Sequence, residues 1–78
     1  MALGKTVAQN IRQFREARGF SQEELAHRIG INRNYVGRLE REEHSPTVEM
    51  LERVARALGI EAYLLLRKDS AKKEKARP

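Results

Sequence analysis

No cysteine occurs among the 78 residues, so neither a disulfide framework nor a thiolate metal site can compensate for a small core. Long apolar runs are missing too. Tyr63-Leu64-Leu65-Leu66 falls far short of the roughly 20 residues that a membrane-spanning helix requires. Met1 to Lys5 lacks the apolar stretch of a secretory signal. Strand-like alternation and internal repeats are absent, as are a phosphate-binding glycine loop and any nucleophile–base set. His27 and His44 are far apart and unsupported by other ligand candidates, and the adjacent pairs Glu23/Glu24 and Glu42/Glu43 point different ways. The expectation is one soluble, cytoplasmic all-α domain with no enzyme activity, metal or cofactor, near the lower size limit for a single core.

What the chain has in quantity is charge, with a formal net of +5. Residues 67–78 carry Arg67, Lys68, Lys72, Lys73, Lys75 and Arg77 against Asp69 and Glu74, a net of +4, which leaves +1 for residues 1–66. A nearly neutral body binds a polyanion only through one concentrated face. Arg28, Arg33, Arg38 and Arg41 supply such a concentration, while acidic residues cluster elsewhere, at Glu23/Glu24, Glu42/Glu43 and Glu49/Glu52. The partner implied is polyanionic, held by that face and with the basic tail as a second contact.

Helical periodicity and stop signals divide the chain into five segments, at about 7–18, 22–29, 33–41, 48–58 and 61–67. Met1 to Lys5 reads as a mobile arm, after which Thr6 caps a helix with Val7, Ile11 and Phe14 on its inner face. Gly19 ends that helix. Phe20 is placed as a hydrophobic staple before Ser21, which forms a capping box with Glu24. Leu25, Ala26 and Ile29 give the second helix its apolar stripe, and Gly30 stops it. Asn32 caps the third helix, which buries Val36 and Leu39. Thr47, after Pro46, caps the fourth, striped by Val48, Leu51, Val54, Ala55 and Leu58 and ended by Gly59. Residues 1–66 are therefore expected to form a compact five-helix bundle, and 67–78 a basic, disordered tail.

The third segment decides the function class. Its outer face carries Arg33, Asn34, Gly37, Arg38 and Arg41, which suits an anionic groove better than a protein core. Two short helices joined by a glycine turn have the layout of a helix-turn-helix, whose second helix enters the DNA major groove. Ser21-Gln22-Glu23-Glu24-Leu25-Ala26, then Gly30, Asn34-Tyr35-Val36, Leu39-Glu40, Pro46 and Leu51 follow in the order and spacing of a known motif. The chain resembles the phage-repressor (Cro/repressor, XRE-type) helix-turn-helix family over roughly residues 7–66. In scale it is similar to small stand-alone members such as restriction–modification controller proteins.

The resemblance implies that Gln22 grips a DNA phosphate, and that Arg15 pairs with Glu40 to fix the recognition helix on its scaffold. Asn32, Arg33 and Asn34 stand at the helix start, where side chains reach base edges. Arginine matches the two acceptors of guanine, and asparagine can match adenine. Arg38 is within reach of a base or a phosphate. Arg41 suits a phosphate, and Tyr35 can pack its ring on the domain while its hydroxyl meets one. Gly37 costs about 1 kcal/mol inside a helix relative to alanine, which a deeper seat in the groove would explain. The chain departs from the family in having Glu42 where glycine commonly follows the Leu-Glu-Arg run. Either the helix continues past that point, or Glu42 takes a less favourable backbone conformation.

One recognition helix covers only a few base pairs, so the expected species is a homodimer on a palindromic operator with half-sites about 34 Å apart. Three consecutive leucines cannot all face one small core. The resemblance gives Ile60 and Leu65 to the core, leaving Tyr63, Leu64 and Leu66 for the dimer seam. No small-molecule effector is evident, because no ligand-sensing domain follows the helices. The competing expectation, from another class, is a protein-interaction module of the bridging-factor or antitoxin kind.

Overall fold

The computed structural model describes residues 2–71; among them are four α-helices and one short 3-10 turn, with no strand. The helices are α1 (Ala2–Ala17), α2 (Gln22–Ile29), α3 (Arg33–Glu40) and α4 (Val48–Leu58), and the 3-10 turn is Ala62–Leu65. The starts of α2, α3 and α4 follow the expected capping residues, whereas Thr6 lies inside α1 and does not cap it. The Ser21 hydroxyl accepts from Glu24 N–H, the Asn32 carboxamide from Asn34 N–H, and the Thr47 hydroxyl from Met50 N–H. Each bond satisfies one of the orphan amides of a first turn. The carboxylate half of the capping box is differently engaged: Glu24 pairs with Arg28 at 2.8 Å. Gly30 and Gly59 end α2 and α4 with φ of 84° and 71°, a left-handed conformation that costs little only without a Cβ.

One apolar cluster joins all the elements. Val7, Ile11 and Phe14 of α1 meet Leu25, Ala26 and Ile29 of α2, Val36 and Leu39 of α3, and Val54, Ala55 and Leu58 of α4. Full burial of a side chain such as Phe14 or Leu25 stabilises the fold by about 1.5–3 kcal/mol. Val48 does not join the stripe expected of it. It is 76% exposed, because the first residue of α4 precedes the turn that meets the core.

The structure differs from the expected bundle at both ends. Residues 2–5 are not an arm: α1 begins at Ala2, and Leu3 continues the Val7–Ile11–Phe14 stripe one turn upstream. At the other end no fifth α-helix forms among the described residues. The segment expected as a helix over 61–67 makes only one 3-10 turn, with Leu64 N–H bonded to Glu61 O and Leu66 N–H to Tyr63 O. A buried asparagine explains this. The Asn10 side-chain nitrogen donates to the carbonyls of Leu64 (3.2 Å), Leu65 (2.9 Å) and Arg67 (2.8 Å), so those oxygens turn towards α1 instead of along a helix.

The folded body also runs past residue 66. Ser70 and Ala71 are buried, Ala71 within the core cluster, and the Ser70 hydroxyl donates to Arg67 O at 2.7 Å. The rest of the expected tail, 72–78, lies outside the described residues, as does Met1 of the expected arm.

Candidate nucleic-acid interface

The candidate recognition element is α3, held against α2 by the turn at 30–32 and against α1 by a buried ion pair. The Arg15 guanidinium places Nε 2.7 Å from Glu40 Oε2 and Nη2 3.1 Å from Oε1, while its Nη1 donates to Phe20 O at 2.8 Å. The side chains of Arg15 and Glu40 are only 11% and 4% exposed. The hydrogen bond to Glu40 raises the Arg15 pKa further above its ordinary value, against the opposing effect of burial. Two parallel bonds from a planar fork fix angle as well as distance, so the end of α3 is oriented by the scaffold. Removing one partner of such a buried pair costs about 3–5 kcal/mol, because the other charge is stranded.

Gln22 belongs to the same network. Its side-chain nitrogen donates to Glu40 Oε1 at 3.1 Å. A primary amide has two hydrogens, so one remains for another acceptor. Gln22, Ser21 and Glu23 line an open depression together with Arg15 and Arg33, which brings the start of α2 beside the start of α3. Arg33 lies 3.9 Å from Glu23, with both groups largely exposed. A pair so long and so wet restrains Arg33 little.

The remaining residues of α3 sort by what they already hold. Asn32 Oδ1 is committed to Asn34 N–H at 2.7 Å, so a bidentate contact from Asn32 to adenine would break the cap. Asn34 and Arg38 are exposed, and Arg38 acts on Glu43 only through its charge. Tyr35 is half-buried and packed on the core, its ring edge-on to His44 with centroids 4.7 Å apart. Arg41 caps α3, and its guanidinium lies over Gly37. A Cβ on Gly37 would stand 2.9 Å from Arg41 Nη1, so the missing side chain makes room for an arginine.

The departure at Glu42 resolves as a strained turn. Glu42 has φ of 61°, with its N–H bonded to Leu39 O and Glu43 N–H to Arg38 O at 2.8 Å. This is the glycine-type helix end made by a glutamate. Its side chain offers an offsetting contact, since Glu42 Oε1 lies 3.7 Å from the position a Cβ on Gly4 would take. That position is in the first turn of α1, which has no acidic residue of its own and whose dipole attracts negative charge.

Sequence reasoning did not find the role of Glu43. It binds Arg41 in a fork, at 2.8 Å to Nε and 3.1 Å to Nη2. Residues two apart do not face each other on a helix, so only the reversal at Glu42 brings them together. Nor did the periodicity reveal Asn10, because a lone asparagine on an amphipathic helix carries no mark of a buried one.

A helix-turn-helix with α3 exposed, a charged fork beneath it and a capped turn before it is thus in place. Residues 11–65 match the helix-turn-helix family model. The chain belongs to the phage-repressor-type helix-turn-helix family. Among the members it resembles is the Neisseria hypothetical transcription factor of Neisseria meningitidis. The two are 44% identical over 64 residues, which is 82% of this chain and 60% of that protein. The restriction-modification controller protein C.AhdI from Aeromonas hydrophila superposes with a TM-score of 0.79 at 37% identity, covering 83% of this chain and 98% of C.AhdI. SinR, a master regulator for biofilm formation solved in complex with DNA, gives a TM-score of 0.74 at 32% identity, covering 78% of this chain and 98% of that one.

The expected dimer seam is partly exposed. Tyr63 and Leu66 are 61% and 44% exposed, whereas Leu64 is half-buried and packed against the core. Leu65 is fully buried and Ile60 packs on the core. Leu66 borders an apolar hollow with Leu3, Val7 and Leu51, so α1 adds surface to the same side.

Proposed function

We propose that this protein is a transcriptional regulator that binds double-stranded DNA in a sequence-specific manner, as a homodimer on a palindromic operator. The observation that carries the reading is α3 itself. Arg33, Asn34 and Arg38 are outward and free of strong partners, on a helix whose angle is set by the Arg15–Glu40 fork. Arg33, Asn34 and Arg38 read base edges. Gln22, Tyr35 and Arg41 hold phosphates. Asn32 contributes by keeping the helix start capped. The SinR complex with DNA and the regulator names among the relatives support the class. Tyr63 and Leu66, with less from Leu64, form the seam between protomers. The role is binding and not catalysis.

Selection of bound duplexes from a random pool at moderate salt tests this. The expected product is a two-fold symmetric consensus, and Arg33→Ala should relax one position in each half-site, a loss of roughly 1–3 kcal/mol of discrimination there. A wild-type protein that enriches no sequence, yet captures an acidic protein partner tightly, would replace this reading with that of a protein-interaction module.

A further inference from the structure

Among the acidic groups near the binding face, Glu43 binds the guanidinium of Arg41, a residue assigned to phosphate, through two hydrogen bonds. We propose that Glu43 is a built-in stand-in for phosphate. It holds Arg41 in the free protein and must be exchanged for the DNA backbone when Arg41 binds, so it sets how tightly this end of the recognition helix engages. The proposal rests on the DNA-binding reading above.

Three features of the structure build the contact. The carboxylate of Glu43 offers both oxygens to the Arg41 fork, at 2.8 and 3.1 Å. A phosphodiester offers two oxygens to the same fork in the same way. The backbone of Glu43 is fixed by its N–H bond to Arg38 O at 2.8 Å, which the left-handed Glu42 makes possible. Gly37 leaves the space in which the Arg41 guanidinium lies. The hydrogen bond from Arg41 also holds Glu43 below its ordinary carboxylate range, with the charge of Arg38 acting in the same sense. At neutral pH the competitor is therefore ionised.

Both side chains are more than half exposed, so the pair is screened and exchange is rapid and reversible. The contact restrains Arg41 without blocking it, and Glu43 acts as a positioning residue. Its removal should tighten binding by freeing Arg41, with no effect on the fold.

The test is a double-mutant cycle in duplex affinity, using wild-type protein, Glu43→Gln, Arg41→Ala and the double variant, with Glu49→Gln as a control for total charge. The probe is the duplex that wild-type protein selects. Glu43→Gln should tighten binding roughly two- to five-fold, the range open to an exposed ion pair. The gain should vanish when Arg41 is already alanine and should exceed that of Glu49→Gln, with unfolding midpoints unchanged. Equal gains in both Arg41 backgrounds would mean that Glu43 acts only through net charge, and the proposal would fall while DNA binding stood. No gain at all would have the same consequence. Failure of wild-type protein to bind any duplex would remove the DNA reading and this proposal together.

Discussion

Replacing Asn10 with aspartate keeps the shape of the side chain and removes what it does. In the wild-type fold the amide nitrogen serves three carbonyls, those of Leu64, Leu65 and Arg67, and the residue is 1% exposed. The bond to Leu65 is buried and the other two are partly so. Leaving a buried carbonyl without a donor costs about 1–3 kcal/mol. The amide has only two hydrogens, so the three contacts amount to two full bonds, the second worth about 0.5–1.5 kcal/mol. The sum lies near 1.5–4.5 kcal/mol, with an expected loss of about 3 kcal/mol. A chain of this size is stable by only about 4–12 kcal/mol in total. The melting temperature should fall by at least about 12 °C, at 4 °C or more for each kcal/mol.

The pH dependence gives a second check. A carboxylate facing three carbonyl oxygens has its folded pKa raised above the unfolded value. The folded state then takes up protons more readily, so the penalty is full at neutral pH and shrinks as pH falls through the raised pKa. Urea unfolding of wild-type and Asn10→Asp protein near pH 7 and near pH 4 measures both quantities. A variant within about 0.5 kcal/mol of wild type at pH 7, the level of an ordinary surface substitution, would refute the fastening role of Asn10.

The other outcomes can be stated briefly. Leu66→Glu should give a folded monomer by sedimentation with much weaker binding to a two-half-site duplex; a persistent dimer would move the seam elsewhere. Glu42→Gln should lower stability by about 0.3–1 kcal/mol, the value of a charge near a helix N-terminus. Glu42→Gly, by contrast, should change it little, because relief of left-handed strain is offset by removal of that charge and by the flexibility of glycine. Thermal melts of the two variants separate these effects, and a Glu42→Gln melt identical to wild type would leave the α1 interaction without energetic weight. Deleting residues 72–78 should weaken binding to all sequences alike and flatten its salt dependence, by about 0.9 in log–log slope for each phosphate that the segment neutralises. Equal slopes for the full and shortened chains would assign that segment no part in holding DNA.

Local chemistry wrote much of this fold directly into the sequence. Ser21, Asn32 and Thr47 cap the helices they precede, and Gly30 and Gly59 end the helices they follow, because a capping bond or a positive φ is settled within four or five residues. The apolar stripes through Phe14, Leu25, Val36 and Leu58 were legible for the same reason, since periodicity tells which side of a helix must leave water. The outward set Arg33, Asn34, Arg38 and Arg41 follows as the complement of the stripe on α3. Contacts between distant or reversed segments were not legible. Asn10 reads as one polar residue on α1 until it reaches three carbonyls more than fifty positions away, and with it goes the helix that periodicity assigned to 61–67. Gln22 reads as free until Glu40 arrives from another helix. Glu43 and Arg41 are neighbours in sequence, yet they meet only because Glu42 turns the chain back. Each of these depends on where a side chain meets a group from another element, which only the tertiary structure decides, because periodicity sets direction and not distance.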